Sequence, residues 1–434
     1  MTVKPTVLIA STCRWFPTAR LAMALLHAGF TVDAVCPPRH PMSKTNVVRR
    51  SHTYRGLTPL MSFIDAIEAT RPDLIVPADD LATRHLHHLY ERERSRGVTG
   101  RSTCDLIERS LGAPESFAVV YARSAFMQLA REEGILAPAT EVIPDLQELT
   151  RWIAEMGFPT VLKVDGTSGG DGVRIVHTIA KAEHAFRTLQ APPLLARAAK
   201  RALVDKDKTL VWSLLSRKRS VVNAQSYLAG HEATSTVACW NGTVLASLHF
   251  EVLHKRDPKG PATVVRLIED ADMSMAAEKI VRRLKLSGVH GFDFVRETET
   301  GRAHLIEINP RATQVGHLTL GAGHDLPAAL YAAVTGEQVR PAPKVTESTT
   351  IALFPQEWIR DAASPQLQSC YHDVPWEQPE LVHACVHKRT KQPAWHWLRE
   401  QREFSSEPDY RRVRKKTGIR VQEFDVEQSR SRYE

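Results

Sequence analysis

Two acids and an amide at strand spacing carry the sharpest chemical signal in this chain. In GVHGFDFVRETETGRAHLIEINPR, residues 288–311, two apolar runs flank a turn at Glu297 to Gly301. Alternation sends Phe292 and Phe294 to one face of the first run and Asp293 to the other. On the second run Leu305, Glu307 and Asn309 are expected to share a face, with Ile306 and Ile308 opposed. A hairpin centred near Thr300 then sets Asp293 across from Glu307. Facing carboxylates repel unless a cation lies between them, and an oxygen set of Asp293, Glu307 and Asn309 beside a polyphosphate is what Mg2+ accepts. Arg311, one residue past Pro310, offers a guanidinium for a phosphate or a substrate carboxylate.

The competing reading, an exposed polar face of an ordinary hairpin, loses ground to a second signal upstream. FPTVLKVDGTSGGDGVRIV places an apolar strand, Thr160 to Val164, before Gly166, Thr167, Ser168, Gly169, Gly170, Asp171 and Gly172, and a second strand after it, Val173 to His177. Glycines let a backbone approach polyphosphate oxygens closely and aim successive N–H groups at them, and their freedom lets the loop close over a ligand. Lys163, on the strand feeding the loop, adds a point charge. Glycine alone is weak, since turns select it for steric reasons. The Gly-Lys-Ser/Thr ending of a P-loop and the His-Arg-Asp triplet of protein kinases are both absent.

These groups need a frame, and the hydrophobic pattern supplies one. An apolar run Thr6 to Ala10, a helical pattern to His27, a break at Gly29 and a second run Thr31 to Cys36 form a strand–helix–strand unit, which implies a parallel sheet. Leu60 to Ala69 reads as a helix and Asp73 to Val76 as a buried strand ending at Pro77-Ala78-Asp79-Asp80, the kind of strand end where ligands gather. Asp79 and Asp80 are themselves read as a helix N-cap pair. The loop Ser11 to Pro17 lacks a dinucleotide fingerprint, so this first domain is not read as binding NAD. A helical pattern runs from Glu115 to Gly134, and another from Leu146 to Met156 ends at Gly157. Residues 191–220 are basic and read as a solvated surface helix. After Pro341 the pattern changes to tryptophans among charges, an appendage.

The bulk numbers narrow the class. The chain has 434 residues, 43% hydrophobic and 24% charged, enough for about three globular domains. Its formal charge of +8 is dispersed over 57 basic and 49 acidic residues; phosphorylated small molecules explain it as well as nucleic acid does, and nucleic acid is not the expected partner. Six cysteines show no metal or disulfide spacing, so free thiols in a cytoplasmic compartment are expected. No signal-peptide core or membrane span is read. His85, His87 and His88 lack acidic or cysteine partners a turn away and are expected at the surface rather than on a metal.

With these residues in hand, VLKVDGTSGGDGV, QSYLAGHEATSTV, GFDFV and LIEINPR resemble the ATP-grasp superfamily over roughly residues 5–340, with carbamoyl-phosphate synthase large subunits and biotin carboxylases as related members. The resemblance implies an α/β (α+β) fold: a Rossmann-like pre-ATP-grasp domain over 1–112, a first ATP-binding lobe with the glycine flap and a basic insertion over 113–228, a second lobe with the Mg2+ site over 229–341, and a C-terminal appendage over 342–434. It puts Lys163, Gly169, Gly170 and Gly172 on the phosphates. It puts Gln225, Tyr227 and Leu228 around adenine, Glu232 on the ribose, Asp293, Glu307 and Asn309 on Mg2+, and Arg311 after them; Lys255 and Arg256 are looser phosphate candidates.

Three departures stand out. Arg123 occupies the place of a customary ATP-binding lysine, which keeps the charge and changes its geometry. Gln225 replaces a common glutamate and still accepts a hydrogen bond. Gly316, in NPRATQVGH, sits where biotin carboxylases carry a glutamate base, which points away from that subclass. The family then implies an ADP-forming carboxylate–amine ligase using ATP and Mg2+ through an acyl phosphate, with Lys163 and Arg311 at the reacting groups and no covalent nucleophile on the protein. Its partners are a small carboxylate and an amine; a homodimer is left open. The rivals are a phosphotransferase acting on a carboxylate or hydroxyl, and a non-catalytic nucleotide-binding protein.

Overall fold

The computed structural model describes residues 4–165, 172–191, 220–258, 260–338 and 340–387. The chain divides into two compact units, residues 1–252 with 267–347 and residues 253–266 with 348–434.

The first unit opens with β1 (Thr6–Ala10), α1 (Pro17–His27), β2 (Thr31–Cys36), β3 (Val48–Thr53), α2 (Pro59–Thr70), β4 (Leu74–Pro77), α3 (Asp80–Ser95) and α4 (Arg101–Leu111). The strands lie in the order β3-β2-β1-β4, all parallel. Val7, Leu8, Ile9 and Ala10 are fully buried, as a strand covered on both faces requires. The chain reverses direction across the sheet between β1 and β4, so their C-terminal ends form the crevice of a doubly wound fold. Asp79 caps α3 through the Ala82 N–H at 2.9 Å and also accepts from Ser11 Oγ, Thr12 N and Thr12 Oγ1, which pins the two strand ends together.

The expected helix from Glu115 to Gly134 is broken. Two short 3-10 turns, Pro114–Ser116 and Val119–Tyr121, precede α5 (Arg123–Glu132). Ala122 is extended, with φ −95° and ψ 92°, so Arg123 begins a helix instead of continuing one. Its backbone N–H, which an uninterrupted helix would have consumed, donates to Asp165 Oδ1 at 3.3 Å.

Beyond it come β5 (Thr140–Ile143), α6 (Leu146–Met156), β6 (Thr160–Val164), β7 (Val173–Val176), α7 (Ile179–Gln190) and β8 (Val222–Ser226), with the strands antiparallel in the order β5-β8-β6-β7. Leu162, Val164, Val222 and Ala224 pack with Trp152, Phe186 and Leu189 of the helices. The opposite face is left to Thr140, Lys163, Asn223 and Gln225.

β9 (Gly230–Trp240) and β10 (Thr243–Lys255) form a long hairpin, and β12 (Gly288–Glu297) and β13 (Ala303–Asn309) complete the order β13-β12-β9-β10. Helix α8 (Ala271–Leu284) and α5 cover one side of this sheet. Helix α9 (Leu326–Thr335) follows. In the second unit β11 (Ala262–Leu267) pairs antiparallel with β14 (Thr350–Leu353), which pairs in parallel with β15 (Tyr371–Asp373). A fully buried Glu357 there holds Arg360 and Ser364. The expected appendage, 342–434, is thus divided: residues up to 347 belong to the first unit, and those from 348 on to a compact unit that also takes up residues 253–266. Its far end and nearly all of the basic stretch 191–220 lie outside the described residues.

No disulfide joins the cysteines among the described residues, and no helix among them is long and apolar enough to cross a membrane.

Candidate active site

The hairpin β12–β13 sets the geometry. Gly291 pairs with Asn309, Phe292 with Ile308 and Asp293 with Glu307, but the next pair is Phe294 with Leu305. Ile306 is therefore an extra residue on β13, a bulge that shifts side-chain parity. Leu305 and Ile308 both enter the core with Phe292 and Phe294, while Glu307 and Asn309 stay on the side of Asp293. The sequence expectation that Leu305 shares a face with Glu307 is corrected: strict alternation assumes no bulge. Burying each phenylalanine stabilises the hairpin by roughly 1.5–3 kcal/mol. A one-residue slip would drive Asp293 into that core, so the register is fixed.

Asp293 accepts from Thr234 Oγ1 at 3.0 Å and from Asn309 Nδ2 at 2.9 Å. Burial, and then the neighbouring Glu307, hold its carboxyl above the usual carboxylate range. Glu307 Oε1 receives Arg123 at 2.8 Å. Among the described residues no group of three or more His, Cys, Asp or Glu side chains gathers as a metal-ligand set. A cation here would rest on two carboxylates completed by neutral and ligand oxygens, which fits Mg2+ and not zinc. The Asn309 amide turns its nitrogen to Asp293 and its oxygen to Arg311 at 3.2 Å, so it would have to rotate to serve as a ligand.

Facing these acids is the polar side of β5, β6 and β8. Register pairs Lys163 with Asn223, and Gln225 with both Val161 and Thr140. Lys163 is 6% exposed, Asn223 0% and Gln225 3%, so a strand face rich in polar groups is sealed from water. Burial draws the Lys163 ammonium down to about 8, although Glu307, Asp293 and Glu232 favour its charge. Asn223 donates to Asp165 Oδ1 at 2.8 Å, and its own Oδ1 is buried with no hydrogen-bond partner. Such a group costs about 1–3 kcal/mol unless something polar docks on it. Sequence reading missed Asn223, Asp165 and Thr234. Counting two residues back from Gln225 along β8, or opposite Lys163, would have exposed Asn223 as a polar intruder in a buried strand.

Arg123 links the two halves. Its side chain is 11% exposed; Nε donates to Val164 O at 3.3 Å and lies 3.9 Å from Asp165, while NH2 reaches Glu307. Burial opposes the charge, but Glu307, Asp165 and Asp80 together outweigh it and raise the guanidinium's pKa. Gln225 Nε2 donates to Thr140 Oγ1 at 3.0 Å, which orients the amide and leaves Oε1 as its acceptor end. Tyr227 is exposed and Leu228 half-buried in the short link between β8 and β9. Glu232 stands exposed at the start of β9, two residues before Thr234 and on the same face. Gly172 O accepts from Val164 N at 3.1 Å, closing the base of the glycine loop; Gly169 and Gly170 lie outside the described residues. Lys255 belongs to the second unit, where Nζ donates to Pro258 O at 2.7 Å.

Arg311 is more tightly bound than expected. Nε lies 3.4 Å from Asp80, NH1 donates to Ala312 O at 3.1 Å, NH2 reaches Asn309, and the guanidinium sits 5.5 Å above the Trp15 ring. Asp80 thus holds Arg311 besides starting α3. The histidine cluster also departs from a surface role. His88 is exposed, but His85 bonds Tyr54 OH at 3.1 Å and His87 stacks on Phe117 with centroids 3.7 Å apart. Helix α3 is covered by α4 and the 3-10 turns, so His87 faces inward.

The family model described as "ATP-grasp in the biosynthetic pathway with Ter operon" matches residues 220–355. The carbamoyl phosphate synthase large chain of Thermus thermophilus is 26% identical over 196 residues, 44% of this chain and 17% of that protein. The chain spans a quarter or less of the length of the synthases it first matches. Among solved structures, the biotin carboxylase domain of Hydrogenobacter thermophilus 2-oxoglutarate carboxylase, in complex with MgADP, ADP and bicarbonate, is similar with a TM-score of 0.55 at 15% identity, covering 78% of this chain and 72% of that one. N5-carboxyaminoimidazole synthase of Aspergillus clavatus, in complex with ADP and 5-aminoimidazole ribonucleotide, gives 0.55 at 15% identity, over 77% of this chain and 78% of that one.

Proposed function

We propose that this chain is a member of the ATP-grasp superfamily and an ADP-forming carboxylate–amine ligase that uses ATP with Mg2+. The observation that carries the reading is the convergence of Lys163, from β6, and Arg123, from the start of α5, on the acids Asp293 and Glu307 of the β12–β13 hairpin. Cations on one side, and two acids on the other, suit a metal–polyphosphate complex and little else.

Each group then has a task. Asp293 and Glu307 would hold Mg2+, with Asn309 joining after its amide turns. Bound there, the cation would neutralise charge between the β- and γ-phosphates during transfer. Lys163 and Arg123 would carry the phosphate oxygens, and loop N–H groups the rest. Gln225 Oε1 would accept the adenine amine, Tyr227 and Leu228 would flank the ring, and Glu232 would take the ribose hydroxyls. The substrate carboxylate attacks the γ-phosphorus and ADP leaves; the amine attacks the acyl phosphate, phosphate departs, and an amide forms. No side chain need become covalently attached, because positioning and water exclusion suffice while the acyl phosphate lives.

The test is an ADP-release screen over small carboxylates with and without amines, with Asp293→Asn and Glu307→Gln as controls. Release that needs both substrates and falls at least about 100-fold in each control supports the ligase. Release independent of any amine, with a stable phosphorylated product, moves the assignment to a phosphotransferase. Failure of the purified protein to bind Mg-ATP removes it altogether.

A further inference from the structure

Arg123 touches an acid that the metal needs. Its guanidinium donates to Glu307 Oε1 at 2.8 Å from a side chain that is 11% exposed, in a pocket also bordered by Asp80 and Arg84. Lys163 stands close enough to the same acids to feel them. We propose that Arg123 competes with the divalent cation for Glu307, so that metal alone binds weakly, and that nucleotide phosphate lifts the competition by drawing the guanidinium to itself. This rests on Asp293, Glu307 and Asn309 being the metal set.

Charge balance explains why the competition matters. Two carboxylates facing a dication would give a neutral site, but Arg123 and Lys163 bring two further positive charges into a largely buried space, with Arg123 11% and Glu307 27% exposed, where screening is weaker than in bulk water. A polyphosphate reverses that balance. Arg123 has somewhere to go, because its Nε already lies 3.9 Å from Asp165, the residue between β6 and the glycine loop. Nucleotide and metal are then coupled through one side chain, in addition to any oxygen they share directly. The coupling should fall in the range of about 5- to 150-fold typical of linked sites.

The sign of the effect separates this role from simple phosphate binding. A residue that only holds phosphate leaves affinity for metal alone unchanged when it is removed. A competitor raises it.

Mn2+ titration of the full chain, with free Mn2+ read by electron paramagnetic resonance, tests this with and without a non-hydrolysable ATP analogue. In Arg123→Gln, Mn2+ alone should bind at least about fivefold tighter than in wild type, and the gain on adding the analogue should shrink. Arg123→Lys keeps the charge and should stay within about twofold of wild type. Circular dichroism confirms folding, and Arg123→Met repeats the measurement if the glutamine variant does not fold. If wild type binds Mn2+ with the analogue while the neutral variants bind Mn2+ alone no tighter than wild type, the competition is refuted and the metal site stands. A lysine variant as tight as glutamine would refute it as well, because shape and not charge would be acting. If no form binds Mn2+ even with the analogue, the metal-site reading fails and takes this inference with it.

Discussion

Replacing Lys163 by methionine should make the protein more stable while disabling its site. The Lys163 ammonium lies on the sealed face of β6, 6% exposed, and burial draws it down to about 8 against the pull of Glu307, Asp293 and Glu232. In the unfolded chain the same amine titrates near 10.5. Between those values the unfolded chain holds a proton that the folded chain has released, so this group makes stability rise with pH from about 8 to about 10.5. Below about 8 the ammonium is protonated in both states, and the folded state bears the whole desolvation cost. At about 1.36 kcal/mol per pH unit, that cost is about 3 kcal/mol. Methionine fills a similar volume without charge, and imperfect packing against Asn223 and Gln225 returns part of the gain. Urea unfolding at pH 7 should therefore show Lys163→Met more stable by about 2 kcal/mol, and the difference should close as pH approaches 10. Mg-ATP affinity should meanwhile fall at least about 100-fold, the loss of one charge-assisted contact to phosphate. A variant less stable at pH 7, or a difference that does not change with pH, would show that the lysine is not held against its own charge.

Thr140→Val removes the hydroxyl that takes Gln225 Nε2. The amide can then turn either end outward, and discrimination between ATP and GTP in competition binding should drop about fivefold, with about 1 kcal/mol lost in stability; unchanged discrimination counts against Gln225 as the adenine reader. Gly291→Ala places a Cβ against Thr313 Cγ2 and Asn309 Cβ. The loop carrying Arg311 must shift, so thermal unfolding should report a loss of about 1–3 kcal/mol and ADP release should fall more than about tenfold. Wild-type melting and turnover in that variant would show the loop yields freely.

Several strands and helices before residue 160 were legible because their buried faces leave an apolar signature. The expected runs Thr6 to Ala10 and Thr31 to Cys36 are the strands found, and Leu146 to Met156 is the helix found. The helix expected across 115–134 failed at Ala122, whose residue type carries no break signal. The break follows from tertiary contacts: Tyr121 lies in an aromatic group with His87 and under Arg84, and Arg123 turns toward Asp165. His87 was misplaced for the same reason, since nothing local records that Phe117 will cover it.

The acids show most plainly where pattern reading stops. Asp293 and Glu307 were paired by assuming perfect alternation, and the structure pairs them despite an extra residue, Ile306, because the bulge lies beyond Glu307 on the turn side. Had it fallen between Glu307 and Asn309, the amide would have gone to the core and the alternation argument would have looked equally sound. What fixes the outcome is the demand of four apolar residues, Phe292, Phe294, Leu305 and Ile308, for one core. With those four buried, β13 must spend a bulge between Leu305 and Ile308, and Glu307 is the side chain left facing Asp293 and within reach of Arg123. The polar site is thus positioned by its apolar neighbours, and a substitution such as Ile308→Asn that weakens their hold should disorder the acids before it unfolds the sheet.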